Sequence, residues 1–163
     1  MIIAISGTPG SGKTTLSKNL ARKLDYVLID VNDFIKNHPD VVSGFDPERD
    51  SKIIDTDKLA KVLKLHLKKN KITDAVIDSH LSHYFSKDFI DLVIIAHCDL
   101  KVLKKRLQYR KYHESKVKEN LDCEIFDICK NEAIEAKHNI LDVDCTKSVD
   151  IEKLVSEIKY FDR

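Results

Sequence analysis

Short continuous apolar runs alternate along the chain with longer stretches in which an apolar residue returns every three or four positions. The first kind predicts strands buried on both faces, and the second predicts helices packed along one face. Met1 to Ser6 (MIIAIS) reads as the first strand, and Leu16, Leu20 and Leu24 mark a helix over 13–24. A second strand is predicted at 26–29 and a turn or two of helix at 33–36. Residues 38–55 carry Pro39, Gly44 and Pro47 among many acids, which predicts a surface excursion. Leu59, Val62, Leu63 and Leu67 then define a helix beginning near Thr56, with Lys58, Lys61, Lys64 and Lys68 on its other side. Strands at 75–78, 92–96 and 140–143 complete the set, with helices at 100–110, 114–137 and 151–158. The 114–137 segment is expected as one long helix, because Val117, Leu121, Ile125, Ile128 and Ala136 keep helical spacing.

Five short apolar strands alternating with amphipathic helices predict an α/β fold: a five-stranded parallel sheet, covered on both faces because right-handed crossovers place helices there. At 163 residues one domain is expected, large enough to fold without a disulfide or metal staple. The longest apolar stretches, such as 92–96, fall far short of the ~20 residues a membrane helix needs, so neither a span nor a leader is expected. Cys98, Cys123, Cys129 and Cys145 form no CxxC, which argues against a zinc knuckle or a disulfide framework and for a reducing, intracellular setting. Lys and Arg number 28 against 27 Asp and Glu, so no global charge pulls the chain toward nucleic acid or membrane.

Glycine is scarce, and three of the four lie together in Gly7-Thr8-Pro9-Gly10-Ser11-Gly12-Lys13-Thr14. This matches GxxxxGK[ST] in full, between a predicted buried strand and the start of a helix, the context of a phosphate-binding P-loop. Small residues let backbone N–H groups turn inward onto phosphate oxygens, and the helix N-terminus adds positive potential. Lys13 would reach the β- and γ-phosphates of ATP, and the Thr14 hydroxyl would help hold Mg²⁺, with Thr15 next in line.

Val76-Ile77-Asp78 is an apolar run ending in a carboxylate. In a P-loop fold such an Asp completes the Mg²⁺ shell, while in other settings a strand-end Asp caps the following turn. His80, two residues on, would position a water or sense the γ-phosphate; alone it would be an ordinary loop residue. Arginines are few, five against 23 lysines, yet Arg106 and Arg110 stand one helical turn apart. A planar guanidinium binds phosphate oxygens bidentately or stacks on a base, though a solvated face or a surface ion pair would place the same pair.

Taken together these residues resemble the adenylate kinase isoenzyme 6 family. The P-loop run through Thr15-Leu16 is shared with many nucleoside monophosphate kinases. More specific are Asp78-Ser79-His80, Gly44-Phe45-Asp46 with Ile54-Asp55-Thr56-Asp57, Arg106-Leu107-Gln108-Tyr109-Arg110 running into Lys111-Tyr112, and Glu119-Asn120-Leu121-Asp122-Cys123-Glu124-Ile125-Phe126. The resemblance spans nearly the whole chain and implies a core with an AMP-site insertion at about 30–53 and a short lid at about 109–119. It implies adenylate kinase and ATPase activity, and binding of a small-subunit platform ribosomal protein during rRNA maturation. By position, Gly10, Ser11, Gly12, Lys13, Thr14 and Thr15 would bind ATP, and Arg110 would contact it from the lid. Lys13, Asp78, His80, Arg106 and Arg110 form the expected catalytic set, with Thr14 and Asp78 on the metal. AMP would be the acceptor, met by Asp33 and Lys36. Where adenylate kinases usually carry an arginine for the AMP phosphate, this chain has Lys36, which keeps the charge and loses the fork, so weaker AMP use is expected.

Three classes of function stay open: a kinase for a nucleoside monophosphate, an ATPase switch with water as acceptor, and a nucleotide-binding module without turnover. The acidic 40–57 segment would suit a basic ribosomal partner, and the lysines of 56–71 and near the lid could touch pre-rRNA, although on sequence alone ordinary solvated faces are the commoner reason for both. A monomer when free, in the cytoplasm, is the expected setting.

Overall fold

The computed structural model describes residues 1–48 and 51–161. In chain order it comprises β1 (Ile2–Ser6), α1 (Lys13–Leu24), β2 (Val27–Asp30), α2 (Val31–Lys36), β3 (Val42–Asp46), β4 (Ser51–Ile54), α3 (Thr56–Lys69) and β5 (Ala75–Asp78). There follow β6 (Leu92–His97), α4 (Leu100–Tyr109), α5 (Glu114–Ile125), α6 (Ile128–Glu135), β7 (Ile140–Asp144) and α7 (Ile151–Ile158). Among the described residues no helix is long and apolar enough to cross a membrane.

The five predicted strands pair in parallel in the order β2-β5-β1-β6-β7. β5, β1 and β6 are the sheet's centre, and they read as unbroken apolar runs because both faces are covered. On one face Leu16 and Leu20 of α1 pack with Leu154 and Ile158 of α7. On the other, Leu59, Leu63 and Leu67 of α3 pack with Phe34, Phe85 and Ala133. Each such leucine removed from water contributes roughly 2 kcal/mol. The register sets Ile5 beside Asp78, so the carboxylate stands at the C-terminal edge of the sheet next to the loop that leaves β1. From β1 the chain builds outward to β2 and β5, then crosses to β6 and β7. The crevice at that reversal is where open α/β sheets bind ligands.

Two predicted elements differ. The 38–55 excursion contains an antiparallel hairpin, β3 with β4, preceded by a short 3-10 turn at Pro39–Val41. β3 alternates half-buried and exposed positions over only five residues and β4 does not keep the alternation, so neither stands out beside the segment's prolines and acids. Arg49 and Asp50, which belong to the predicted acidic segment and AMP-site insertion, lie outside the described residues. The 114–137 helix is two helices: α5 ends at Ile125, and Asp127 turns the chain with φ of 50° before α6 begins. The two helices pack into separate clusters: Val117 of α5 lies with Leu103 and Leu107 of α4, and Ala133 of α6 with Phe34 and Phe85 beside the sheet.

Candidate nucleotide site

The loop from Gly7 to Gly12 joins the buried end of β1 to α1, and its geometry demands glycine. At Gly7 (φ 135°) a Cβ would lie 2.5 Å from the Ala96 carbonyl oxygen of β6, and at Gly12 (φ 115°) 2.9 Å from Cys145 Cβ. α2, α3, α4 and α7 each start with an aspartate whose side chain accepts from the first-turn N–H groups. α1 starts at Gly12 with no side-chain cap and no acid in its first turn, which leaves those donors for an anion. The buried Ser11 hydroxyl likewise has no protein partner among the described residues. Lys13 donates to the carbonyls of Gly7 (2.8 Å) and Thr8 (2.9 Å). Burial lowers its pKa to about 8 against the pull of Asp78. An ammonium so placed gains from a phosphate that restores its compensation.

Asp78 is buried, and burial raises its pKa despite a hydrogen bond from the Thr14 hydroxyl and the charge of Lys13. A hydroxyl and an under-compensated carboxylate on adjacent elements are the oxygen donors a hard divalent cation takes beside phosphate, so the residues fit Mg²⁺. His80 lines the same cleft; the cleft walls and Lys13 push its pKa down to about 4, so it is neutral at physiological pH.

The cleft encloses about 1,320 Å³, above the ~300–1,000 Å³ usual for one small ligand. Lys13, Lys105, Arg106, Arg110, Lys116 and Lys147 outnumber Asp78, Glu119 and Glu132 along it, a balance suited to polyphosphate. Thr14, Thr15 and Arg110 line it as expected, Arg110 from the end of α4.

Arg106 and the acceptor pair make contacts that their sequence positions do not announce. The Arg106 guanidinium bonds the carbonyls of Gly10 (3.3 Å), Ser11 (3.1 Å), Cys145 (3.1 Å) and Thr146 (3.2 Å), and the Cys98 sulfur (3.4 Å). Its N–H groups hold the P-loop to α4 and to the turn after β7, a positioning role beside the catalytic one expected of it. Asp33 and Lys36 pair with each other at 2.5 Å on the surface, each side chain 69% exposed, and neither lines the cleft. Lys36 is held charged by that carboxylate rather than offered to an acceptor. Asn32 lines the cleft in their place.

A second set of groups, absent from the sequence reading, braces the loop from behind. The Thr8 hydroxyl donates to Glu124 at 2.6 Å, and the Cys98 N–H donates to the same carboxylate at 2.9 Å. His97 stands between Glu124 (3.4 Å) and Asp142 (2.9 Å), and Lys130 closes the chain on Asp142 (2.6 Å). Burial opposes the Glu124 charge, but bonds from His97, Thr8 and Cys98 outweigh it and hold the carboxyl below its usual range. The only sequence signal for this brace was that Glu124 falls within the stretch resembling the family. Above the P-loop, His83 bonds Ser6 Oγ at 2.7 Å and faces Glu132 at 2.8 Å.

His97 gives a pH prediction. The bond to Glu124, with burial opposing and Asp142 assisting, raises its pKa from 6.5 to about 9. A raised pKa means the stabilisation is complete below about 6.5 and is lost as pH climbs through about 9. Urea unfolding should show the wild type losing about 1–2 kcal/mol across that window, after allowance for partial exposure. His97→Asn should flatten the dependence there; an unchanged slope would show that the brace does not titrate.

A phosphate loop leaving β1, the central strand of the β2-β5-β1-β6-β7 sheet, with its lysine at the start of α1 and an acid at the end of the adjacent β5, defines a P-loop protein of the kinase fold. The comparisons agree. An AAA domain model matches residues 3–127. Adenylate kinase isoenzyme 6 homolog FAP7 of Saccharomyces cerevisiae is 36% identical over 96% of this chain and 79% of its own length. A putative adenylate kinase of Methanocaldococcus jannaschii is 37% identical over 97% of this chain and 84% of its own. Among solved structures, shikimate kinase from Acinetobacter baumannii superposes with TM-score 0.60 at 17% identity, over 97% of this chain and 90% of its own. Deoxyadenosine kinase from M. mycoides with bound dATP gives 0.53 at 17%, over 98% and 99%. These two share the fold. The chain belongs to the adenylate kinase isoenzyme 6 family.

Proposed function

We propose that the protein is an adenylate kinase that also hydrolyses ATP, transferring the γ-phosphoryl of ATP to AMP to give two ADP. The observation that carries the reading is the joint geometry of Lys13, Thr14 and Asp78 at one edge of the sheet, within a cleft large enough for a donor and an acceptor. Gly10, Ser11, Gly12 and Thr15 would cradle the triphosphate, with Lys13 and Arg110 neutralising charge on the transferred group. Thr14 and Asp78 would hold Mg²⁺, which when bound screens the phosphates and fixes their orientation. His80 would orient the attacking acceptor, the AMP phosphate or water. The 30–53 segment, containing α2 and the hairpin, would be the acceptor insertion, and the turn at 110–113 with the start of α5 would be the lid. Over Tyr112 the Lys116 ammonium stacks at 4.6 Å, which would stiffen that lid.

A panel of acceptors tests the class: ADP formation from Mg-ATP should rise with AMP and stay at its basal rate with shikimate or a deoxynucleoside. Stimulation by either of the latter in place of AMP would overturn the assignment. The surface pairing of Lys36 with Asp33 favours a second reading, an ATPase in which AMP is a poor acceptor. Lys36→Ala should raise the KM for AMP by about threefold to tenfold if the side chain turns to the acceptor phosphate, one charged contact being worth about 1 kcal/mol or more. An unchanged KM would exclude Lys36 from the acceptor site. The ribosomal role rests on the family resemblance; a basic ribosomal-protein tail would meet the acids of 40–57, and pre-rRNA the lysines of α3. A free monomer in the cytoplasm is the proposed setting.

A further inference from the structure

Two sulfurs stand against the phosphate loop. Cys123, in the last turn of α5, and Cys129, in the first turn of α6, approach to 4.0 Å across the elbow at Phe126 and Asp127. Both line the nucleotide cleft; Cys123 is half-buried and Cys129 buried. The other two cysteines are engaged elsewhere: Cys98 receives a bond from Arg106, and Cys145 leans on the Val143 carbonyl. The structure assigns Cys123 and Cys129 as a dithiol modification site, oxidised by a peroxide to an intramolecular disulfide that spans the elbow and disables the phosphate loop.

The chemistry suits the placement. Cys123 is the exposed member and the better nucleophile: its bond with Cys129, opposed by burial, brings its pKa down to about 7. The same bond and burial push Cys129 up, so it stays a thiol and acts second. The Cys123 thiolate attacks a peroxide oxygen, the O–O bond breaks, and sulfenic acid forms with release of hydroxide. Cys129 sulfur then attacks Cys123 sulfur; the S–S bond forms, the S–O bond breaks, and the departing hydroxide takes the Cys129 proton as water. In sum two thiols and one hydrogen peroxide give one disulfide and two waters. A dithiol reductant reverses the step and leaves as its own disulfide.

The consequence follows from distance and neighbours. A disulfide needs ~2.05 Å between sulfurs, so the two sulfurs must close by about 2 Å, the Cys123 and Cys129 side chains turning toward each other at the elbow. Glu124, the next residue, holds Thr8 of the loop, and the Thr8 hydroxyl also lies beside the Cys123 thiol. Turning the Cys123 sulfur into the disulfide takes it from the Thr8 hydroxyl and fixes the residue next to Glu124, so the brace on the P-loop is disturbed. Loss of that support, with a disulfide now lining the cleft, should weaken ATP binding by about tenfold or more.

The test uses the full chain, reduced or treated with equimolar hydrogen peroxide. Thiol titration, peptide mass spectrometry and ATP calorimetry follow, before and after dithiothreitol. Two of the four thiols should disappear, a cross-link between Cys123 and Cys129 should be found, and ATP affinity should fall and recover on reduction. Cys129→Ser should leave a sulfenic acid on Cys123 that dimedone traps, with no cross-link. Oxidation that consumes thiols without joining these two would overturn the assignment, as would a cross-linked protein with unchanged ATP affinity. The effect on ATP rests on the proposed function: a reduced chain that fails to bind ATP would sink that reading and the disabling effect, while the cross-link would still decide the modification site.

Discussion

Lys13→Ala should lower kcat/KM for ATP by on the order of 10²–10³-fold or more while leaving the fold intact, the loss expected when one preorganised charge is removed from a transferring phosphoryl group. The fold survives because, among the described residues, Lys13 bonds only the Gly7 and Thr8 carbonyls, and Gly7 lines a cleft that water can enter. Thermal unfolding of the variant should stay within a few degrees of wild type. Calorimetry should show ATP binding lost in the same protein. Retained turnover would place the donor phosphates elsewhere and undo the reading of the site.

Asp78→Asn separates a metal ligand from a structural cap, the two uses left open for a strand-end aspartate. As a cap, the residue would stabilise the fold, and its replacement would lower stability. As a metal ligand it holds a charge that burial opposes, so the amide should leave thermal stability unchanged or slightly higher. Turnover with Mg²⁺ should fall by roughly 10²-fold or more, since the cation's orientation of the phosphates is lost. A destabilised variant with near-normal kcat would restore the capping role.

How far these residues were legible depended on how local their physics is. The five parallel strands and the P-loop carry their cause in contiguous sequence: double-sided burial gives apolar runs, and a phosphate cradle needs clustered glycines. The position of Asp78 beside the P-loop could be read because its partner motif had already been found. Arg106 was placed beside the loop without its contacts, since helical spacing locates a guanidinium without saying that its donors will meet the carbonyls of Gly10, Ser11, Cys145 and Thr146. Lys36 is the converse, a charge whose sequence position suggests an acceptor phosphate and whose side chain instead satisfies Asp33 one turn away. The brace of Thr8, Glu124, His97, Asp142 and Lys130 joins residues from five regions of the chain, and no local pattern marks it. The α5 and α6 elbow escaped for a related reason: a single left-handed residue, Asp127, breaks the helix without a proline or glycine.

The arrangement has an economy of support. Arg106 holds the P-loop from α4, Glu124 holds it from α5, and Ser6 at its start is fixed by His83. Ties from three sides limit how far the loop can reorganise when phosphates arrive, the preorganisation that electrostatic catalysis of phosphoryl transfer requires. They also explain how a small change at the cysteine pair would be felt at the nucleotide.

The most direct measurement follows ADP and free phosphate separately from purified protein with Mg²⁺ and ATP, with and without AMP, using Lys13→Ala to remove contaminating activity. The account predicts two ADP per ATP consumed when AMP is present, with free phosphate a minor product. Phosphate release that ignores AMP, with no ADP beyond that from hydrolysis, would contradict the kinase assignment and leave the ATPase.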